Sequence, residues 1–205
     1  MLSQQRSCGT CFACCVWLGV GPLKKWPGQS CKHLDGSIPD KRCTIYDKRP
    51  KCCVDYHCGW RMGIGPDNLR PDQSGVLVTL YPAEGDDQRF VATLHVIDEK
   101  KAGGPADPDS RLSEILALVL STGCNDVRIV SGGERPGSPI VHLREGKIYR
   151  GVVLKPDHNK FEDMNFAEEE EPVGRYQIKR DEDLTAEDEA KRELHRRIAR
   201  QVKSG

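Results

Sequence analysis

Nine of the chain's ten cysteines lie between Cys8 and Cys58, and this crowding constrains the N-terminal part of the fold more than any other feature. The segment opens with Cys8, Cys11, Cys14 and Cys15, which form the pattern C-x2-C-x2-C-C. Unpaired thiols are reactive, so a segment this rich in them needs a chemical reason for keeping them. The sequence therefore leaves three alternatives: metal ligands, disulfides or a redox dithiol.

The spacing and setting of the thiols favour metal binding. Residues 1–7 lead to Cys8 without the apolar stretch of an export signal, so we expect a cytoplasmic protein, and disulfides rarely persist in that compartment. A redox dithiol at Cys8 and Cys11 would be expected within a βαβ pattern, which this segment lacks. Two residues between cysteines let a chain wrap around one ion, and thiolates suit zinc and iron–sulfur clusters. We therefore expect one of these as the cofactor.

Residues 1–60 are predicted to form a small cysteine-rich unit stabilised by metal. This segment holds all three tryptophans but few aliphatic residues at regular spacing, so it would bury too little apolar surface to be stable alone. If its first turn is helical, Cys8, Cys11 and Cys15 share one face and Cys14 points elsewhere; the alternative is a knuckle. In both cases the adjacent cysteines differ in role. The thiols suffice for two zinc sites or for one to two clusters, and the sequence does not decide between these counts.

The order of the cysteines resembles the YkgJ-type CxxCxxCC family over about residues 8–60. The likeness is carried by the opening run, by Cys31, by the C-x-I-Y-x-x-R-P-x-C segment at 43–52, and by Cys58. Members of that family are described as zinc- or iron-chelating proteins or as iron–sulfur proteins, and the resemblance slightly favours iron. Cys53 stands where arginine is more usual, and it is left outside the ligand set. The resemblance implies the metal ligands Cys8, Cys11, Cys14, Cys15, Cys31, Cys43, Cys52 and Cys58.

Several residues outside that set have simpler interpretations. His33 and His57 lie close to cysteines and are expected beside the site or on the surface, since thiols are already in surplus. His142, like the histidine at 95, is expected on a sheet face. Cys124 is expected to be a small, half-buried side chain. Arg49 could donate hydrogen bonds to thiolates, or alternatively bind a substrate anion.

The rest of the chain predicts an α+β domain. Residues 61–74 are rich in turn formers and are expected to be a linker or a lid. The segment 75–158 predicts about five strands, at 76–81, 90–97, 127–130, 140–143 and 147–154, with the last two forming a hairpin at Glu145 and Gly146. One amphipathic helix is expected to begin with Asp107 as its cap and to end near Gly123. Residues 159–205 are predicted to be a charged tail with a helix at 185–203.

Composition excludes some functions and leaves others open. Lysine plus arginine equals aspartate plus glutamate at 31 each, so we expect no nucleic-acid partner, and no apolar run is long enough to suggest a membrane partner. No catalytic motif is evident. We expect a metal-binding protein of unassigned biological role. Two alternatives remain: structural zinc with residues 75–155 as a surface for an unknown protein partner, and a redox enzyme or metalloenzyme.

Overall fold

The structure is a computed structural model, and it describes residues 6–37, 42–83, 86–104, 107–132, 137–154 and 166–175 of the 205-residue chain. The helix predicted at 185–203 lies outside these residues. The described helices and strands, in chain order, are α1 (Ala13–Trp17), α2 (Lys51–Asp55), α3 (Pro71–Ser74), β1 (Val76–Ala83), β2 (Asp86–Val96), α4 (Glu99–Ala102), α5 (Arg111–Ser121), β3 (Asp126–Ser131), β4 (Pro139–Arg144), β5 (Lys147–Val153), β6 (Phe166–Glu168) and β7 (Gly174–Arg175). Short 3-10 turns lie at Gly21–Leu23, Tyr46–Lys48 and Asp67–Leu69.

The described strands form one mixed sheet, which confirms the α+β class. Its order is β1-β2-β3-β4-β5-β6, and β7 also pairs with β5. Only the β2–β3 pair is parallel; the other pairs are antiparallel. Parallel neighbours need a long crossover, and the segment with α4 and α5 supplies it. The predicted hairpin at Glu145 and Gly146 is confirmed: both residues have positive φ, as a two-residue turn with two left-handed positions requires.

The main helix, α5, has the predicted buried face but a different start. Leu112, Ile115 and Val119 are buried against the sheet. The cap is Ser110, whose side chain accepts a hydrogen bond from the Ser113 N–H, and not Asp107 as the sequence suggested. The Asp107 side chain instead accepts from the Asp109 N–H at 3.0 Å, so it closes the turn that precedes the helix.

The described residues do not show the cysteine-rich N-terminal part as a distinct fold, because its buried residues belong to the same hydrophobic cluster as the sheet. Ala13, Cys58 and Trp60 pack in one cluster with residues of β1, β2 and α5. The backbone joins the two parts as well, since the Gly59 N–H donates to the Val78 carbonyl of β1 at 2.8 Å. The cysteine segment therefore lies directly against one edge of the sheet.

Residues 61–74, for which the sequence suggests a linker or a lid, pack into the same core. Leu69 is 2% exposed, and Pro71 and Ser74 of this segment are also buried. Helix α3 ends at Ser74 and is capped by Gly75, which has a positive φ. A Cβ at Gly75 would lie 2.4 Å from the Asp98 carbonyl oxygen, so only glycine fits at this turn into β1. Among the described residues, no helix combines the length and apolar character needed to cross a bilayer.

Candidate metal centre

The opening cysteines lie on a turn followed by a short helix. The Cys11 N–H donates to the Cys8 carbonyl at 2.9 Å, and Gly9 between them adopts a left-handed φ of 51°, which suits glycine. Cys14 and Cys15 then lie in α1. The structure thus combines the two alternatives from the sequence, with a tight turn for the first pair of thiols and a helix for the second.

Cys58 lies near this turn although it is remote in sequence. It is 8% exposed and packs in the core beside the β1 edge. Burial is the largest cause that raises the pKa of Cys58, and Cys8 is among the neighbours that raise it further. Burial likewise raises the pKa of Cys11 to about 11, with Asp72 and Cys58 adding to the effect. Cys8, Cys11, Cys58 and Asp72 therefore share one environment at the junction with the sheet.

Backbone N–H groups point at the sulfurs of this group. The Cys11 sulfur accepts hydrogen bonds from the Ala13 and Asp72 N–H groups. The Cys58 sulfur accepts from the N–H groups of Trp60 and Arg61. Such bonds favour the thiolate over the thiol, so they act against the effect of burial. Because Asp72 belongs to α3, the segment 61–74 contributes directly to the environment of the thiols.

The adjacent cysteines of α1 have different neighbours beyond each other. Their side chains hydrogen-bond to each other, and this bond is the largest cause that raises the pKa of Cys14 well above its usual value. After burial, the further causes are the neighbouring thiols Cys15, Cys8 and Cys11. The same bond lowers the pKa of Cys15 to about 7; burial opposes it, and Lys25 and Arg49 act with it. Cys14 thus belongs with the first thiols, whereas Cys15 faces a basic side.

A buried lysine marks that basic side. Lys25 is 4% exposed, and its Nζ donates to the carbonyl of Val16 at 3.1 Å and also to that of Leu18. Burial lowers the pKa of Lys25, while the thiols of Cys31, Cys15, Cys14 and Cys53 act in the opposite direction. A buried ammonium needs compensating negative charge, and these thiols are placed to supply it as thiolates.

Cys53, which the sequence left outside the ligand set, lies among this second group of thiols. Burial raises the pKa of Cys53 to about 11, and Cys52, Cys15 and Cys31 contribute further. The Cys31 N–H donates to the Cys15 carbonyl at 2.9 Å, so the backbone also joins two members of the group. The signal in the sequence was the adjacency of Cys52 and Cys53, which repeats the adjacency in α1.

The structure gives fewer contacts between the other cysteines and the two groups of thiols. Cys52 is exposed on α2. Cys43 forms an isolated bridge with Leu34, and next to it the Thr44 N–H donates to the His33 carbonyl. Cys124 is a buried core residue whose Sγ donates to the Phe90 carbonyl at 3.1 Å, and it belongs to the same hydrophobic cluster as Cys58. Its interpretation as a packing residue therefore agrees with the structure.

The donor set fits a thiophilic metal in its chemistry, although the thiols are not gathered into a finished site. All ten cysteines lie in the described residues and are free. Within those residues, no three or more cysteine, histidine, aspartate or glutamate side chains are arranged as a group that could hold a metal ion. Thiols must lose their protons before they bind zinc or iron, and metal binding commonly completes the folding of such sites. The eight predicted ligands therefore remain a prediction.

A second polar cluster lies on the sheet and was not evident from the sequence. His142 of β4 is 2% exposed; its Nε2 lies 2.7 Å from Oδ1 of Asp126, and its Nδ1 is hydrogen-bonded to Glu168 of β6. Arg144 Nη2 pairs with the other oxygen of Glu168 at 3.2 Å. The sequence indicated only that His142 lies on a face of the sheet. It did not indicate the partner Glu168, because Glu168 belongs to a strand that the sequence did not predict.

Comparisons of the chain with protein-family models, curated proteins and solved structures gave no match. The resemblance to the CxxCxxCC family therefore stays an expectation that rests on the order of the cysteines and on the segment at 43–52.

Proposed function

We propose that this chain binds zinc or an iron–sulfur cluster through the thiolates of its cysteine-rich segment. The observation that carries the proposal is the pairing of Cys11 with Cys58, two remote thiols that are both partly or fully buried and both surrounded by backbone N–H donors. Burial alone would leave these sulfurs protonated, and a protonated thiol makes poor use of N–H donors. A metal that replaces the protons uses both features.

The groups that would hold the metal divide into two neighbouring sets. Cys8, Cys11, Cys14 and Cys58 supply the first set beside the sheet. The second set is on the side of Lys25, with Cys15 and Cys31 as its predicted members. Four thiolates around a divalent ion leave an excess of negative charge, and the buried Lys25 and nearby Arg49 offset it.

The two metals would supply different chemistry. Bound zinc would cross-link remote parts of the chain, whereas an iron–sulfur cluster would add an electron-transfer centre. The resemblance to the CxxCxxCC family slightly favours iron. The residues themselves position the sulfurs, through the left-handed turn at Gly9 and the anchoring of Gly59 to β1, and they donate the backbone hydrogen bonds.

A second candidate function places the working surface on the sheet, with structural zinc in the cysteine segment. Tyr81 and Phe90 are each 49% exposed at one end of the β1–β2 ladder, where Tyr81 pairs with Val91 and Phe90 pairs with Pro82. Because successive residues of a strand point to opposite faces, this end of the ladder exposes a large apolar side chain on each face of the sheet. In this case the metal would stabilise the fold and the sheet would bind a protein partner.

Anaerobic purification of the full chain followed by elemental analysis tests the proposal. Iron with acid-labile sulfide and a broad visible absorption would identify a cluster, and colourless protein with stoichiometric zinc would identify a zinc site. Free-thiol titration of the same sample provides the control, because metal release should expose thiols that were protected in the intact protein. Protein that contains neither metal and gains none on reconstitution would rule out the proposed function.

A further inference from the structure

The buried histidine of the sheet, His142, has a carboxylate at each of its ring nitrogens. Its Nε2 lies 2.7 Å from Oδ1 of Asp126, and its Nδ1 is hydrogen-bonded to Oε2 of Glu168. A neutral imidazole has one N–H donor and one acceptor nitrogen, whereas an ionised carboxylate has acceptors only. The two contacts therefore need two protons, and the doubly protonated ring supplies both. Since His142 is 2% exposed, water has little access to replace either partner.

The neighbouring strands bring further charges to the same face of the sheet. Residues directly opposite each other in the register share a face, as do residues two apart along a strand. Among the described residues, the titratable or charged side chains that this rule places on the face of His142, from β3 to β7, are Asp126, Arg128, Arg144, Lys147, Tyr149, Glu168 and Arg175. The cations oppose a further positive charge on the ring, but charge interactions weaken with distance, and the two carboxylates are in direct hydrogen-bond contact with it.

Glu168 reaches the ring by crossing β5 at Gly151. Glu168 is the register partner of Gly151, and His142 lies on β4, on the other side of β5. A Cβ added to Gly151 would lie 2.2 Å from the Ala167 carbonyl oxygen and 3.2 Å from Cα of Glu168. Because Gly151 has no side chain, β6 lies close enough to β5 for the Glu168 carboxylate to pass over it.

The other described contacts of β6 are few. This strand is three residues long and pairs with β5 alone, and the Glu169 N–H that follows it donates to the Arg150 carbonyl at 2.7 Å. Arg144 also pairs with Glu168, but its side chain is 42% exposed, and exposed ion pairs contribute little. A hydrogen bond to an ionised partner is about twice as strong as one between neutral groups. The bond to His142 is therefore the main side-chain attachment of β6 in the described part of the chain.

We propose that His142 holds β6 on the sheet only while its ring is doubly protonated, so that this strand responds to pH. When one ring proton passes to solvent, a bare nitrogen and a carboxylate face each other as two acceptors, and that bond is lost. Asp126 lies on β3, which is paired on both sides, whereas β6 is an edge strand, so β6 is the part that moves. The strand is therefore held at lower pH and released as the pH rises. Neither the step nor its test involves the thiols, so its failure would leave the proposed metal binding untouched.

The test follows hydrogen–deuterium exchange of β6 in the full chain by mass spectrometry. Exchange is measured at about pH 5.5 and about pH 8.5, on either side of the value of about 6.5 at which histidine titrates in model peptides. Rates are corrected for the intrinsic pH dependence of exchange, and peptides of β3 serve as the internal reference. In the wild type, the protection of β6 should fall about 10-fold from the lower to the higher pH, because a hydrogen bond to a charged group is lost. The protection of β3 should not change.

Three variants separate the proton from the contact itself. Glu168→Gln should abolish the pH dependence, because an amide can accept from the charged ring and can donate to the neutral one. Glu169→Gln is the matched control, since this exposed neighbour should keep the pH dependence of the wild type. Gly151→Ala should lower the protection of β6 at both pH values, because its Cβ would displace the strand.

Each outcome decides for or against this role of His142. A fall in the wild type and in E169Q, with one level of protection at both pH values in E168Q, supports it, whether that level is high or low. It is overturned if the wild type shows no fall, if E168Q and E169Q behave alike, or if β3 loses protection together with β6. A β6 strand that is as protected in G151A as in the wild type would also overturn it, because the crossing of β5 would then be absent.

Discussion

The sheet and the cysteine segment are stabilised in different ways. The sheet has long ladders, and its centre is filled with side chains such as Leu77, Leu94 and Val127, each at most 1% exposed. The cysteine segment has short helices, 3-10 turns and the two isolated bridges Val20–Lys25 and Leu34–Cys43. Apolar burial is enough to specify the sheet. The cysteine segment depends on local turns, on its contact with the sheet and, in our proposal, on metal.

The contact between the two regions is concentrated around Gly59 and Trp60. Gly59 pairs with Val78 through the backbone, and the Trp60 ring packs in the common core. Arg6 stacks over that ring at 5.0 Å and donates to the Trp60 carbonyl at 2.9 Å. Both ends of the segment that contains the thiols, at Arg6 and at Gly59, therefore meet at this contact, and the second group of thiols lies between these ends in the sequence.

The largest expected effect comes from removing a buried thiol of the cysteine segment, compared with removing a buried thiol of the sheet core. Cys58→Ser should lower zinc affinity roughly 100-fold, about 3 kcal/mol, since one of four thiolates would be lost from a site of about 10–16 kcal/mol. Serine is a poor ligand for soft metals. The matched control is Cys124→Ser, another buried free cysteine, which lies in the sheet core. Its metal stoichiometry and affinity should equal those of the wild type.

Chelator competition and elemental analysis on both variants check this prediction. Equal loss of metal in the two variants would mean that the wrong thiols have been assigned, because Cys124 donates to the Phe90 carbonyl and is not among the predicted ligands. Unchanged binding in both would argue that Cys58 is a packing residue only.

A smaller effect is expected from crowding the contact between the regions. A Cβ added to Gly59 would lie 2.9 Å from both Cβ and Cγ1 of Val78, closer than real Cβ contacts. Gly59→Ala should therefore reduce the free energy of unfolding by about 1–3 kcal/mol, as overpacking in cores usually does. Urea titration followed by tryptophan fluorescence reports it directly, because Trp60 is the next residue.

Gly36→Ala is the matched control in the same region, since a Cβ there has open space around it. Its unfolding free energy should stay within about 0.5 kcal/mol of the wild type. If G59A were as stable as G36A, the cysteine segment would not be packed as tightly on β1 as the structure indicates.

The same contrast explains which features could be predicted from the sequence. The strand composition of β1 and β2, the hairpin at Glu145 and the buried face of α5 depend on local patterns, and they were found. The cap of α5 was placed at Asp107 because aspartate before proline is a good start signal, whereas the structure uses the later Ser110. Strand β6 is three residues long and has no periodicity of its own.

In the cysteine segment, spacing identified candidate ligands but not their grouping. The family resemblance implied Cys52 as a ligand and left Cys53 outside the set. In the structure Cys52 is exposed on α2, and Cys53 has Cys15 among its neighbours. Linear spacing does not encode which side of a short helix meets a remote turn. For the same reason, the sequence did not identify the burial of Lys25 or the hydroxyl of Tyr56 that is unpaired among the described residues, because both depend on neighbours that the tertiary fold brings together.

The smallest expected effect concerns the polar cluster of the sheet and acid stability. Burial raises the pKa of Asp126, but the hydrogen bond and charge of His142, together with Arg128 and Arg144, outweigh it and leave the pKa below its usual value. A carboxylate with a depressed folded pKa adds stability that is fully present above the unfolded pKa of about 3.9 and is lost as pH falls through the folded value.

Asp126→Asn should therefore destabilise the chain by about 1 kcal/mol at pH 7, and the difference from the wild type should shrink as the pH falls below about 4. Urea titrations across this pH range measure both quantities, with Asp47→Asn as an exposed control that should show neither. Zinc affinity at pH 7 should be the same in all three proteins, because Asp126 stabilises the sheet and not the thiols. A pH-independent difference would show that Asp126 acts by shape rather than charge, and a loss of zinc affinity would show that the stability of the sheet is coupled to metal binding by the thiols.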